Sequence, residues 1–458
     1  VTTKTINLVE ALAHERDHGV LIWLFNIGAE QVWHPSPRKG GMVDRDEQQV
    51  VNRMEEMNLL LCRSQDIIVL REKPDEAFLD MLQRLGFSLP RIEVPEPSDP
   101  LTPISELVLA DKALLARLRA VADAGHSGGG AKAWLVPYAV TPQEEAIAEY
   151  CGLELIGAPS SVSAQVNDKI FSRLTAQKLG FAVSEGAVCE DEAAIRRECV
   201  RLAELADGPV KLIIKQPHGA SGQGMYMLDE LSKLDTLLSV MRRFGGSSPS
   251  SGGWLVERWH NKQMDLNYQL CIDESGGVTM FSLKRQNVDG TVYIGSQVPA
   301  DIGPALEEEV RRCAYQLGTY LYSIGYTGMA SIDGFVDEGG LLVPVIEING
   351  RFTLSTYISF LSSVLGEQHK TLSRYYRNVT ASPLTYSRLC ELLAEEGLLY
   401  TPERPQGVFV YTAGTLSDIS VKRGYVNRIF TLILADSWQE AEAYAHKLEG
   451  IIAGLGCL

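Results

Sequence analysis

Positive charge is scarce in this chain of 458 residues: 42 Lys and Arg stand against 58 Asp and Glu, a formal net charge of −16. A surface that repels phosphate backbones over most of its area suits neither non-specific nucleic-acid binding nor docking on anionic lipid. Any anion must be held by a local cluster of cations. Long apolar runs are missing too. The longest near the start, Val20–Phe25, falls far short of the roughly 20 residues that span a bilayer, and it lacks the basic leader and cleavage site of an export signal. The eight cysteines form no C-x-x-C pair, so they read as reduced, buried thiols rather than a disulfide framework or zinc site. Together these absences predict a cytoplasmic protein with no membrane and no nucleic-acid partner.

What is present is an ordinary globular composition, 45% apolar and 22% charged, over a length that predicts two to four domains. Residues 1–165 alternate short β runs with helical patterns, which implies a parallel, doubly wound sheet. Residues 166–258 open with a helix over Asp168–Leu179, capped by Asn167 and stopped by Gly180. A strand at Val210–Gln216 and a glycine-rich loop follow, then a Gly/Ser-rich stretch and a strand at Trp254–Glu257. Residues 259–382 predict strands at 267–273 and 277–284, a helix over 304–323 and a strand pair across Asp337–Gly340. The remainder, 383–458, mixes helices and strands. The fold class is α/β (α+β).

Two motifs are decoys. His14-Glu15-Arg16-Asp17-His18 has the spacing of a zinc-protease helix, but no third ligand suggests itself, and a solvated helix face explains it better. Gly219–Gly224 has P-loop glycine spacing, yet Met225-Tyr226 stand where Lys-Ser/Thr should, and a strand follows instead of a helix. Such a loop can still drape its N–H groups over phosphates from a hairpin.

The strongest chemical signal is Val345-Ile346-Glu347-Ile348-Asn349-Gly350-Arg351. On a strand Glu347 and Asn349 share one face, an oxygen pair suited to a hard cation such as Mg²⁺. The preceding strand, Gly328–Phe335, returns through a tight turn and brings Asp333 beside them. A lone Glu-x-Asn is more often the polar edge of a sheet; the hairpin carboxylate and the nearby Arg351 reverse that preference.

A set of cations is the second signal. Alternation over Val210–Lys215 places Lys215 on the face away from the core, just before the glycine loop. Lys169 lies in the first turn of its helix, unfavourable to the macrodipole unless an anion is close. Lys284 and Arg285 end a strand. Singly each reads as a solvated residue; in this order, around a glycine loop and an acidic hairpin, they read as a phosphate site.

From about Asn167 to Tyr357 the order of motifs resembles the ATP-grasp superfamily. The resemblance implies a pre-ATP-grasp domain over 1–165, a two-lobed grasp divided at 258/259, and a C-terminal extension from 383. It implies ATP and Mg²⁺ as cofactors. Lys169 and Lys215 match the lysines on the α- and β-phosphates, and His218, Gly219, Ser221, Gly222 and Gly224 fall in the glycine-rich lid. Glu257, Arg258 and Trp259 match the adenine hinge, with Glu257 and adjacent backbone groups reading the amino group, and Asp265 the ribose contact. Asp333, Glu347 and Asn349 match the metal ligands, Arg351 the arginine that steadies the transferred phosphate, and Lys284 a γ-phosphate contact. The run Asn26-x-Gly28-x-Glu30-x-x-Trp33, with the C-terminal extension, resembles the pheganomycin-type peptide-ligase branch.

The implied reaction activates a carboxylate as an acyl phosphate and passes it to an amine, with amino acids or small peptides as substrates. A carrier-protein thiol as acceptor and a non-catalytic nucleotide-binding protein are the alternatives. His34, His218, His260 and Arg285 are candidates for lining the substrate pockets, and a homodimer is compatible with the sequence.

Overall fold

The computed structural model describes residues 19–33, 45–126, 131–205, 208, 210–217, 224–244, 253–289, 292–416, 418–421 and 424–456. The His-Glu-x-x-His run, His34 and residues 218–223 of the glycine loop, among them His218, Gly219, Ser221 and Gly222, lie outside these.

The first sheet is parallel. It holds β1 (Val20–Leu24), β2 (Ile67–Val69), β3 (Arg91–Glu93), β4 (Ala133–Pro137) and β5 (Glu154–Leu155) in the order β3-β2-β1-β4-β5. The chain leaves β1 in one direction for β2 and β3 and returns on its other side for β4, so β1 and β4 flank the switch point where such sheets take ligands. Asn26, just past β1, clamps the two strand ends: its Nδ2 donates to the Ala139 carbonyl at 2.8 Å and its Oδ1 accepts from the Ala139 amide at 3.0 Å.

The second sheet is antiparallel, β6 (Gly186–Cys189), β9 (Trp254–Arg258), β7 (Leu212–Lys215) and β8 (Met225–Leu228). Leu212, Ile213 and Ile214 are all buried, so β7 is covered on both faces where alternation predicted one.

The third sheet carries nine strands. β10 (Lys262–Ile272), β11 (Val278–Asp289), β12 (Val292–Val298), β13 (Gly328–Asp337) and β14 (Leu342–Asn349) are joined by β15 (Lys370–Thr380), β16 (Gly407–Val410), β17 (Ser420–Val421) and β18 (Gly424–Ala435), with the path β14-β13-β10-β11-β12-β15-β18-β16. β15 and β18 pair along Lys370–Thr380 without a break, which binds the C-terminal residues into the same sheet. One face of β10, β13 and β14 presents Leu266, Tyr268, Leu270, Ile332 and Ile348 to the helix Pro304–Ser323. The pleat turns the intervening polar residues to the other face.

Three readings of local structure are corrected. Asp168, not Asn167, caps the helix Lys169–Lys178, its carboxylate accepting from the amides of Ile170 and Phe171. Asn167 ends the preceding helix, and its Nδ2 bonds the Ser163 carbonyl and that of Gly350. Lys284 and Arg285 do not end a strand; β11 runs on to Asp289, because it pairs with β10 on one side and β12 on the other. The helical pattern over Asp44–Cys62, where Val50, Val51, Met54, Met57 and Leu61 predict one helix, tightens between Arg53 and Leu61 to a 3₁₀ segment.

The seven described cysteines are buried and free, and no helix among the described residues is long and apolar enough to cross a membrane.

Candidate active site

The register of the third sheet lines up the chemistry. Glu347 on β14 pairs with Asp333 on β13, Asp333 with Asn267 on β10, and Asn267 with Lys284 on β11. Two residues along lies a second row, Asn349, Ser331, Gln269 and Ser282. Directly opposed side chains sit roughly 4.5–5.5 Å apart at Cβ, so the eight make one continuous polar surface. Hydrogen bonds stitch it: Asn267 Nδ2 donates to Asp333 Oδ1 at 2.8 Å, Gln286 Nε2 to the same oxygen at 3.0 Å, and Asn349 Nδ2 to Asp333 Oδ2 at 3.2 Å.

Cations gather over the acidic end. Lys169, only 4% exposed, places Nζ 2.8 Å from Glu347 Oε1, which supplies the anion that its place in the first helical turn requires. Burial works against ionisation of Glu347, but Lys169, with Arg351 and Lys215 beyond it, outweighs burial and holds the carboxyl below its usual range. Asp333 goes the other way: burial and the Glu347 charge push it up to about 6 against the hydrogen bonds it accepts. Two carboxylates forced together where one resists ionisation, with a carboxamide alongside, form a donor set that a hard divalent cation would satisfy. The residues present therefore fit Mg²⁺.

Arg351 is positioned from the first sheet. Its Nη1 lies 3.3 Å from the Tyr138 hydroxyl, its guanidinium carbon 5.6 Å from that ring centre, and the Phe352 amide donates to the Tyr138 carbonyl at 3.0 Å. Tyr138 follows β4 at the switch point, so the crevice of the first sheet opens toward the arginine. Gly350 between Asn349 and Arg351 is required sterically: a Cβ there would lie 2.8 Å from Val166 Cγ1 and 3.0 Å from Tyr326 Cε2.

The second sheet supplies another cationic group. Lys215 Nζ lies 2.7 Å from Glu257 Oε2, while Arg173 Nη1 lies 2.9 Å from Glu257 Oε1. Both carboxylate oxygens of Glu257 are thus engaged by cations, and Glu257 orients Lys215. Trp259 donates its amide to the Lys211 carbonyl at 2.8 Å, and Lys262 Nζ sits 5.0 Å from the Trp259 ring centre and 2.6 Å from Asp265 Oδ1. Arg258 turns outward to Glu185 at 3.1 Å. Gly224, in the left-handed region at φ 74°, closes the β7–β8 hairpin through its carbonyl to the Gln216 amide at 2.8 Å.

Lys284 differs from its expected place. It is fully buried, donating to the Ser355 carbonyl at 2.8 Å, to Ser282 Oγ at 3.2 Å and to Ser359 Oγ, all neutral. Burial depresses its ammonium to about 7. It lies beneath the helix Leu354–Leu365 as part of the polar sheet face, so a direct γ-phosphate contact does not match this geometry. His260 packs against Phe335, with ring centres 5.3 Å apart, and burial lowers its pKa despite Asp337.

Residues 54–153 match the pre ATP-grasp domain, 167–355 the ATP-grasp domain and 388–448 the PGM1 C-terminal domain. The chain thus carries an ATP-grasp domain preceded by a pre ATP-grasp domain. It is 27% identical over 340 residues to the [butirosin acyl-carrier protein]–L-glutamate ligase of Niallia circulans, covering 74% of this chain and 73% of that protein. In fold it resembles biotin carboxylase of Campylobacter jejuni (TM-score 0.55, 14% identity, 93% of this chain and 89% of that one). It also resembles N5-carboxyaminoimidazole ribonucleotide synthetase of Thermus thermophilus (TM-score 0.54, 15% identity, 95% and 98%). The protein is an enzyme that carries the ATP-grasp domain of ATP-using ligases.

The structure brings the acidic hairpin together with Lys169, Lys215 and Arg351, residues that the sequence had already grouped. Arg173 was missed, although it lies four residues after Lys169 on one helix, the spacing that shares a face. Asn267 and Gln286 were missed because their role depends on strand register. Tyr138 comes from another sheet and has no local signal.

Proposed function

We propose that this ligase condenses a carboxylate with an amine, on amino acids or small peptides, by way of an acyl phosphate. The observation that carries the reading is the row Glu347–Asp333–Asn267–Lys284, flanked by Lys169 and Arg351. A substrate carboxylate oxygen attacks the γ-phosphorus of ATP, the bond to the ADP oxygen breaks, and an acyl phosphate forms. The amine nitrogen then attacks the acyl carbon, phosphate leaves and the nitrogen loses a proton. Both steps gather negative charge in one place, so neutralisation by preorganised cations is the principal demand.

Lys169 and Lys215 would hold the α- and β-phosphates, the main chain of Glu257–Trp259 the base, and Asp265 the ribose. Asp333, Glu347 and Asn349 would hold Mg²⁺, which supplies positive charge to the phosphate oxygens. Arg351, held by Tyr138, would steady the transferred phosphate and the substrate carboxylate. The resemblance of Asn26–Trp33 to the peptide-ligase branch supports a peptide or amino acid substrate in the crevice beside Tyr138.

A carrier-protein thiol is the second acceptor to test, favoured by the relative whose name joins L-glutamate to an acyl-carrier protein. The experiment is a phosphate-release screen over amino acids and dipeptides, with each acceptor offered as a free amine or as a phosphopantetheinyl thiol and products identified by mass spectrometry. Phosphate release that needs both a carboxylate and an amine supports the proposal. Release only with the thiol replaces it by the second reading, and release without any carboxylate contradicts both.

A further inference from the structure

The helix Leu354–Leu365, which starts just after Arg351, docks its first turn on the polar face of the third sheet through one directed chain of hydrogen bonds. Thr356 Oγ1 accepts from the Thr353 amide at 3.0 Å, so its own proton is free, and it goes to Gln269 Oε1 at 2.9 Å. With its oxygen engaged, Gln269 presents Nε2 to Asn267 Oδ1 and to Ser331 Oγ, each at 2.7 Å. Asn267 in turn presents Nδ2 to Ser331 Oγ at 2.9 Å and to Asp333 Oδ1 at 2.8 Å. Ser331 Oγ also meets Thr353 Oγ1 at 3.1 Å, a second tie to the same turn. Thr356, Gln269, Asn267 and Ser331 are each no more than 1% exposed.

The polarity of this chain cannot be reversed at one link. A carboxamide has its acceptor at one end and its donors at the other. Turning Gln269 over would set Oε1 against Asn267 Oδ1, and turning Asn267 over would set Oδ1 against the Asp333 carboxylate. Both are expensive states for buried groups. Packing alone would be met by apolar side chains, as it is by Leu266, Tyr268 and Leu270 on the other face of β10. The polar chain ends instead on one oxygen of one carboxylate. Asp333 Oδ1 receives two donors, Asn267 Nδ2 and, at 3.0 Å, Gln286 Nε2, which fixes the rotation of the group. Oδ2 receives one among the described residues, Asn349 Nδ2 at 3.2 Å, and so keeps acceptor capacity on the side of Asn349.

We propose that Gln269, held by Thr356, is a positioning residue for the metal centre, a role that rests on Asp333 serving as a Mg²⁺ ligand as proposed for the ligation centre. Gln269 sets the Asn267 amide so that Asp333 is anchored through Oδ1 and offers Oδ2 to the cation. Thr353 and Thr356 follow Arg351 directly, so one network fixes both the segment that carries the arginine and the carboxylate across from it.

The test is titration of the full chain and ADP with Mn²⁺, a paramagnetic stand-in for Mg²⁺. Bound metal is read from the relaxation of water protons above that given by Mn²⁺ and ADP alone. Thr356→Val removes the hydroxyl at nearly constant shape, and Gln269→Met removes the amide at similar volume. Each is expected to weaken Mn²⁺ binding about 10–100-fold, the usual effect of losing a group that orients a metal ligand. Thr356→Ser keeps the hydroxyl and should bind Mn²⁺ as the wild type does. A merely structural part for the network would lower the melting temperature and leave Mn²⁺ affinity unchanged, and that result overturns the proposal. So does an equal loss of affinity in Thr356→Ser and Thr356→Val. Should Gln269→Met fail to fold, the two Thr356 variants decide. Asp333→Asn separates the two levels. Unchanged Mn²⁺ affinity there removes Asp333 from the metal site and the proposal with it. Weakened binding there, with wild-type affinity in Thr356→Val and Gln269→Met, overturns the positioning role alone. The metal titration does not depend on turnover, so it stands whether or not the amide-forming reading holds.

Discussion

Lys169 in the first turn of its helix reaches Glu347 on β14 at 2.8 Å, and so ties the segment that precedes the second sheet to the acidic row of the third. A lysine on the α-phosphate and a carboxylate on the metal would thus sit side by side before nucleotide arrives. The arrangement is preorganised for charge that comes later.

Replacing Glu347 or Asp333 by the amide is expected to lower turnover about 10²–10³-fold. Asp333→Asn should in addition raise the Mg²⁺ concentration needed for half-maximal rate. Steady-state phosphate release against Mg²⁺ concentration measures both, with circular dichroism to show that the fold is kept. Turnover near wild type in either variant would remove these residues from the site.

Arg173→Met should act through Glu257. The pair is about 6–7% exposed, and deleting one partner of a buried ion pair destabilises by about 3–5 kcal/mol. With its second anchor gone, Glu257 and Lys215 should hold ATP less well. The expected result is a lower melting temperature with a raised KM for ATP, while kcat at saturation falls less. Thermal unfolding and ATP titrations read the two effects separately.

Tyr138→Phe keeps the ring against Arg351 and removes only the hydroxyl at 3.3 Å, whereas Tyr138→Leu removes both contacts. The first should lose severalfold in kcat/KM and the second about 10²-fold or more, since small misplacement of a catalytic group is enough for that. Equal losses in the two would show that the hydroxyl, not the ring, orients the guanidinium.

Lys284 predicts a pH signature of stability. Burial lowers its folded-state pKa to about 7 from 10.5, so between these values the unfolded chain binds more protons. Stability therefore rises with pH across that window, and the penalty of a buried charge is fully felt below about pH 7. Lys284→Met removes this linkage. The difference in unfolding free energy between wild type and variant should shift in favour of wild type from pH 6 to pH 9. A difference independent of pH would show that Lys284 keeps its proton in the fold.

The parallel first sheet, the hinge strand and the acidic hairpin were legible because each is local: a strand ended by a turn, a glycine loop, alternation over Val345–Arg351. Lys284 was misread for the opposite reason. Its surroundings, Ser282, Ser355 and Ser359, come from two elements, and only register and helix docking bring them together. The helix cap moved from Asn167 to Asp168 because both residues cap well, and the Asn167 amide was drawn to the Gly350 carbonyl. The strand that carries Glu257 is visible in the sequence, but Arg173 beside it is not.

The unbroken pairing of β15 with β18 bears on any attempt to trim the enzyme. A fragment ended at residue 382 would strip eleven residues of β15 of their neighbour and leave a long bare edge, the kind of surface that recruits other chains. It would also take away Val408, Phe430 and Leu432, which share one buried cluster with Trp23 and Met57. Such a shortened chain should collect in inclusion bodies, and the smallest working catalyst should run on through the final helix.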